Sequence, residues 1–377
     1  MRLAIISLPL HVNYGGILQS YALKKELESM GHEVVVIDRK VKMPFPEWWK
    51  APLIYMNRAL KSLKGGSEAP EVFREYRCMK EYPVLSRELK SFVDAEIAPL
   101  KIDSYKDIKK GEFDGFVVGS DQVWRPRYFG KIEDAFLEFT RGWDVKRISY
   151  AASFGTDSLE FDSETLRICA GLLDCFDAVS VREDSAVTMC DEWLDCDRAV
   201  HVLDPVMLVD VADYHKIVDG AKTRRAEGKI MTYILDQSDN KKAIAALVKS
   251  WTGKDIEDFS VNPHDRRIPV DERVVPPLEE WLSGFADADF VVTDSFHGCV
   301  LAILFHKPFI AIGNGQRGMA RMRSLLEMFG LDQRLVHGID PEDDGEFFLS
   351  QPDWIAVDAV LAEHRAAARR FLADALK

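Results

Sequence analysis

Short apolar runs alternate along the chain with segments whose apolar residues recur every three to four positions, which predicts strands and helices in turn. Residues 2–8 (RLAIISL) are the first such run. The loop His11-Val12-Asn13-Tyr14-Gly15-Gly16 follows, then ILQSYALKKELESM at helical spacing. Gly31 sits where a helix-ending glycine belongs, and residues 33–38 (EVVVID) read as a second strand. Strand, glycine-containing loop, helix and strand together open a doubly wound α/β domain.

Beyond Arg39 the pattern loosens. Pro44, Pro46, the pair Trp48-Trp49, Gly65-Gly66 and many charges predict an irregular, partly helical excursion over residues 40–110, read as a cap on the acceptor side of a site. Alternation returns with strands expected at 113–119, 147–155, 178–182 and 201–204, and helices through 160–175 and 184–194. Residues 207–228 hold no strong strand, so the chain divides into an N-terminal Rossmann-like domain (1–215) and a C-terminal one (216–377). The second half carries expected strands at 229–235, 255–261, 289–294 and 309–313, with helices at 239–251, 278–285 and 299–306. A long helix over 353–376 closes it. The fold class is α/β, with two Rossmann-like domains facing a cleft. In open parallel sheets ligands lie beyond the carboxyl ends of strands, so chemistry is sought just after 119, 153, 182, 294 and 313.

Val291 to Gly298 is a buried strand that delivers Ser295 and His297 to the start of a helix. An imidazole there can pass a proton either way, and the helix N-terminus beside it favours an anion. The competing reading is a capping or core histidine. In SVREDS, Arg182 ends a strand. Its planar fork suits a carboxylate or phosphate, and the alternative is a structural ion pair with Glu183 or Asp184. Asn13, Gly15 and Gly16 can bring backbone N–H groups against a substrate, although the loop is neither GxGxxG nor a P-loop. Ser120, Asp121 and Gln122, ahead of Trp124, form a set that commonly meets sugar hydroxyls, with Asp121 as a catalytic candidate, a contact or base at the acceptor hydroxyl, or else a capped turn over a core tryptophan. Ser153 stands at another strand end. Arg317, Arg321 and Arg323 follow the glycines at 313–318, and one of them can clamp an anion. The other histidines form no spaced cluster with carboxylates, so no metal site is expected.

Composition narrows the partners. The 377 residues include 49 basic and 62 acidic side chains, a formal charge of −13. That balance disfavours nucleic acid or an anionic membrane as a partner while leaving room for a local basic pocket. No apolar run approaches the roughly 18 to 20 residues of a membrane span. The expected location is the cytoplasm, with peripheral attachment at the inner face of the membrane as the variant. Six cysteines without a CxxC pair are expected to be free, mostly buried thiols.

In this order, NYGGILQSYAL, GSDQVW, YAASFG, SVRE-S and TDSFHG resemble the polysaccharide pyruvyl transferase family, over nearly the whole chain apart from the 40–110 excursion. The resemblance implies two Rossmann-type domains similar to the GT-B glycosyltransferases. It also implies transfer of pyruvyl from phosphoenolpyruvate, as donor substrate and without a cofactor, to sugar hydroxyls as a ketal in cell-surface polysaccharide. The acceptor would be a saccharide or lipid-linked saccharide. By resemblance, Arg182 binds the phosphoenolpyruvate anion and His297 lies at the reacting enol. Two positions depart from the family pattern. Ser295 stands where many members carry an arginine, and Gly16 replaces the acid of their Asn-x-Gly-Asp loop. Arg317 or Arg321 can offset the lost cation, or the donor differs. Two other readings remain: a GT-B-like glycosyltransferase using a nucleotide sugar, and a non-catalytic member of a polysaccharide assembly.

Overall fold

The computed structural model describes residues 1–40, 45–63, 70–223, 225–263, 265, 268–315 and 319–377. The first half contains β1 (Arg2–Ile6), α1 (Tyr14–Ser29), β2 (Glu33–Arg39), α2 (Ala51–Leu63), α3 (Arg74–Leu85), α4 (Arg87–Phe92) and β3 (Leu100–Ile102). It continues through β4 (Gly115–Val118), α5 (Pro126–Phe129), β5 (Lys146–Ala152), α6 (Ser163–Leu173), β6 (Ala178–Val181), α7 (Asp184–Leu194) and β7 (Val200–His201). After α8 (Val211–Val218) come β8 (Ile230–Tyr233), α9 (Asp239–Thr252), β9 (Ile256–Asp258), α10 (Leu278–Asp287), β10 (Phe290–Thr293) and α11 (Phe296–Leu304). The chain ends with β11 (Phe309–Ile312), α12 (Ala320–Met328), β12 (Leu335–Val336), α13 (Glu346–Leu349) and α14 (Trp354–Ala375).

Among the described residues the strands form two parallel sheets, ordered β3-β2-β1-β4-β5-β6-β7 and β12-β11-β10-β8-β9. Helices cover both faces, which is why β1, β4, β8, β10 and β11 read as unbroken apolar runs with almost every residue buried. In each sheet the first strand has neighbours running outward on both sides. Strand order therefore reverses between β1 and β4, and between β8 and β10, leaving a crevice at the carboxyl end of each pair.

Several boundaries differ from the sequence reading for local reasons. The expected strand at 147–155 stops at Ala152, where Ala151 takes a positive φ and the β5–β6 register shifts. The one at 201–204 shortens to β7, because Asp204 caps a turn that begins at Pro205. The helix expected from 299 begins at Phe296, since Ser295 Oγ accepts the Gly298 N–H at 3.4 Å. Strands β3 and β12 and helix α8 lie where no strand or helix is legible. At two or three residues, the strands are fixed by backbone pairing to β2 and β11 rather than by a pattern of their own.

Several contacts join the halves. Tyr14 stacks on Trp281 at 4.5 Å between ring centroids and donates its hydroxyl to Pro276 O at 2.8 Å. The Val275 N–H donates to Leu85 O. Helix α14 begins on the second half, where His306 pairs with Asp358, and ends on the first, where Arg369 pairs with Glu26 of α1 at 2.8 Å. The cysteines are free, with Cys169, Cys190, Cys196 and Cys299 buried and Cys175 exposed.

Candidate active site

The two crevices face each other. A narrow cavity of about 70 Å³ lies between them, lined from the first half by Asn13, Gly15, Asp121 and Gln122. From the second half come Tyr233, Leu235, Asp294 to His297, Asn314 and Arg321. The loops after β1, β4, β8 and β10 all reach it, as the topology requires. A wider cavity of about 470 Å³ shares Asn13, Tyr233 and Leu235 with it and runs along the ends of β8 and β9.

Beneath the cavity is a buried charge network. Arg182 donates from Nη1 to Asp204 Oδ2 at 2.8 Å and to Ser120 Oγ at 3.2 Å, and from Nη2 to Asp121 Oδ1 at 3.5 Å. Ser120 Oγ donates to the same Asp204 oxygen at 2.8 Å, and His297 Nε2 stands 3.6 Å from it. The last distance is an ion-pair approach rather than a hydrogen bond. Burial opposes ionisation of Asp204, yet His297 and Arg182 outweigh it and hold the carboxyl well below the usual range. Asp121 follows the same logic: burial raises it, and Arg182, His297 and Arg321 bring it down. Its backbone is in the left-handed region at φ 69°, with Asn13 Nδ2 donating to its carboxylate at 3.1 Å. Arg321 Nη1 lies 4.0 Å from Asp121. Burial, with Arg182 nearby, lowers Arg321 to about 10, so it stays charged at neutral pH. Both guanidinium groups lie against the Phe296 ring, at 4.5 and 5.8 Å from its centroid.

Of the residues singled out from sequence, Asn13, Gly15, Asp121, Gln122, Ser295, His297 and Arg321 line the cavity. Gly16 packs beside Asn13 and Asp121, and Gln122 also accepts from Arg125. Ser120 and Arg182 belong to the layer beneath. The ion-pair partners that the sequence offers Arg182 are Glu183 and Asp184; its carboxylate partners are instead Asp204 and Asp121. Glu183 turns toward the loop after β5 and accepts from Ser153 Oγ and from the N–H groups of Phe154 and Gly155. Ser153 is thereby fully buried in a structural bond and does not line the cavity. Arg317 lies outside the described residues.

Asp204 is not legible in the sequence, because HVLD reads as the end of a strand and nothing in its local pattern marks the acid. Topology supplies the link: Asp204 follows β7, three strands along the sheet from β4, and Arg182 after β6 is long enough to reach both. Asp294, which also lines the cavity, has a bracing role. It accepts from Lys241 Nζ at 2.6 Å, from the Leu235 and Asp236 N–H groups and from Asn314. It thus ties together the loops that carry the second-half lining. Among the described residues no group of three His, Cys, Asp or Glu side chains is placed to hold a metal ion.

Comparison with known proteins bears on the family and the fold. A sequence model of the family described as polysaccharide pyruvyl transferase matches residues 13–316. No curated protein matches the chain. Among solved structures, the chain is similar to UDP-GlcNAc 2-epimerase from Neisseria meningitidis bound to UDP-GlcNAc, at 12% identity and TM-score 0.50, covering 100% of this chain and 99% of that one. It also matches UDP-GlcNAc 2-epimerase of Methanocaldococcus jannaschii, at 13% identity and TM-score 0.47, covering 93% and 94%. A UDP-glucosyltransferase from Polygonum tinctorium matches at 12% identity and TM-score 0.46, covering 99% and 97%. At such identities the likeness concerns the fold, two Rossmann-like domains in the GT-B arrangement.

Proposed function

The chain belongs to the polysaccharide pyruvyl transferase family, and from that premise we propose that it moves the pyruvyl group of phosphoenolpyruvate onto two hydroxyls of a saccharide, forming a ketal. The observation that carries this reading is the meeting of His297, Asp121 and Arg321 at one cavity between the two strand-order reversals. The reaction needs a proton donor and fixed cations for a highly charged anion, and these residues supply both.

In the proposed mechanism His297 delivers a proton to the methylene carbon of phosphoenolpyruvate, which makes C2 electrophilic. A sugar hydroxyl oxygen bonds to C2 and gives its proton back to His297. The bond from C2 to the phosphate oxygen then breaks, and a second hydroxyl closes the ketal while its proton leaves with inorganic phosphate. Arg321 meets the anion directly. Arg182 adds a second positive charge from below, and its Nε, buried without a protein partner, is a donor still to be satisfied. Asp121 is held too acidic to store the proton, so its part is to orient Arg321 and an acceptor hydroxyl. Asp204 faces His297 and stabilises the imidazolium. The saccharide enters by the wider cavity along β8 and β9.

The test is incubation with phosphoenolpyruvate and a panel of saccharide acceptors, scored by phosphate release and by an acceptor mass gain of pyruvic acid less water. His297→Gln is expected to lower the rate about 100-fold or more. A variant that keeps more than about a tenth of the wild-type rate removes His297 from the mechanism.

A further inference from the structure

Helix α2 leaves a row of large apolar side chains facing outward. None of its residues is buried. The half-buried side that meets the protein holds Ile54, Tyr55, which packs on Phe73, and Arg58, which pairs with buried Glu75 of α3 at 2.8 Å. The outward side carries Leu53, Met56, Leu60 and Leu63, at a spacing of three to four residues, with Leu53 66% and Leu63 83% exposed. Just before it, Trp48 is 87% exposed and Trp49 lies under the Lys50 ammonium at 4.4 Å. Phe73, Tyr76 and Met79 add further exposed apolar surface on the neighbouring segment. Exposed large apolar side chains gathered on neighbouring segments mark an interaction surface.

The charge around this face is opposite to that of the whole chain. The described residues of 39–85, which carry this surface, hold eight basic side chains, Arg39, Lys40, Lys50, Arg58, Lys61, Arg74, Arg77 and Lys80, against four acids, Glu47, Glu71, Glu75 and Glu81, in a protein of formal charge −13. Charge acts over about 10 Å at ordinary salt, so the local excess decides what the face meets. Outward leucines, tryptophans at one end and lysines beside them form the pattern of a helix lying in a lipid interface.

We infer that α2, with Trp48 and Trp49, docks this protein on the surface of an anionic lipid bilayer. No helix among the described residues is long and apolar enough to cross a membrane, so the contact is interfacial. Docking would hold the first half at the lipid surface and leave the cavity at the cleft open to donor from solution. This inference is independent of the pyruvyl-transfer reading, because the surface shares no lining residue with the cavity.

The experiment is co-sedimentation of the full chain, without substrates, with vesicles of phosphatidylcholine alone or mixed with phosphatidylglycerol. Tryptophan emission is recorded in parallel. Binding is expected on the mixed vesicles, with a blue shift, and is expected to weaken as salt rises. The double variant Leu53→Ser/Leu60→Ser should bind at least about tenfold more weakly, and Lys50→Glu/Lys61→Glu should lose the preference for anionic lipid. Thermal melts unchanged from wild type show that these exposed substitutions leave the fold intact. Absence of binding to mixed vesicles at low salt, equal binding to both vesicle types, or full binding by the serine variant each overturns the inference. So does a concentration-dependent dimer abolished by the serine variant without any vesicle binding.

Discussion

A β-carbon on Gly15 would lie 2.0 Å from Nδ1 of His297. Gly15 opens α1 in the first half and His297 opens α11 in the second, so the site closes only because this position has no side chain. On its other edge the imidazole holds Nε2 at 3.6 Å from Asp204.

Gly15→Ala is therefore expected to push the imidazole out of position. Misplacement by about an ångström costs on the order of 100-fold in rate. The turnover number for pyruvyl transfer should fall by about that much while circular dichroism stays that of wild type. A variant with near-normal turnover would show that the ring has room to move.

Asp204→Asn leaves buried Arg182 without its closest anion, and breaking such a pair typically costs about 3–5 kcal/mol in denaturant melts. The pH dependence has a definite sign. The folded carboxyl lies below its unfolded value of about 3.9, so its stabilisation is complete above that value and is lost as pH falls below it. The variant should be less stable at neutral pH and lose less of its remaining stability in acid. Parallel acid profiles for both proteins would rule this out.

His11 provides a second acid sensitivity at a higher pH. Burial lowers it to about 4, against about 6.5 unfolded, and its Nε2 has no partner beneath Tyr82. The folded state accepts this proton reluctantly, so stability is full above about 6.5 and declines as pH falls toward 4. His11→Phe should flatten the melting temperature across that window, and an unchanged slope would assign the loss to other groups.

Arg321→Ala should raise the phosphoenolpyruvate dissociation constant at least about tenfold, since a charge-assisted contact is worth about 1.5–3 kcal/mol. Arg321→Lys should recover part of it. Calorimetric titration without acceptor measures both, and unchanged affinity in the alanine variant would place the anion elsewhere.

Much of this architecture is legible in the sequence, because β1, β4, β8 and β10 are buried on both faces and their apolar runs announce themselves. The strand-end rule then leads to Asp121 and His297 without any coordinates. It fails for Ser153, since a bend at Ala151 turns that strand end inward onto Glu183. It cannot find Asp204, whose importance arises from Arg182 reaching across β4 and β7. Which arginine faces the cavity is likewise invisible: Arg182 and Arg321 both follow strands of the right kind, and only packing around Phe296 puts Arg321 at the surface and Arg182 beneath.

The most direct test of the central claim is the melting temperature of the purified protein with phosphoenolpyruvate and, separately, with UDP-GlcNAc, because a ligand of the native state raises it by mass action. The account predicts a rise with phosphoenolpyruvate that is lost in Arg321→Ala, and no comparable rise with UDP-GlcNAc. A rise with the nucleotide sugar alone, or a phosphoenolpyruvate effect that Arg321→Ala leaves intact, would contradict it.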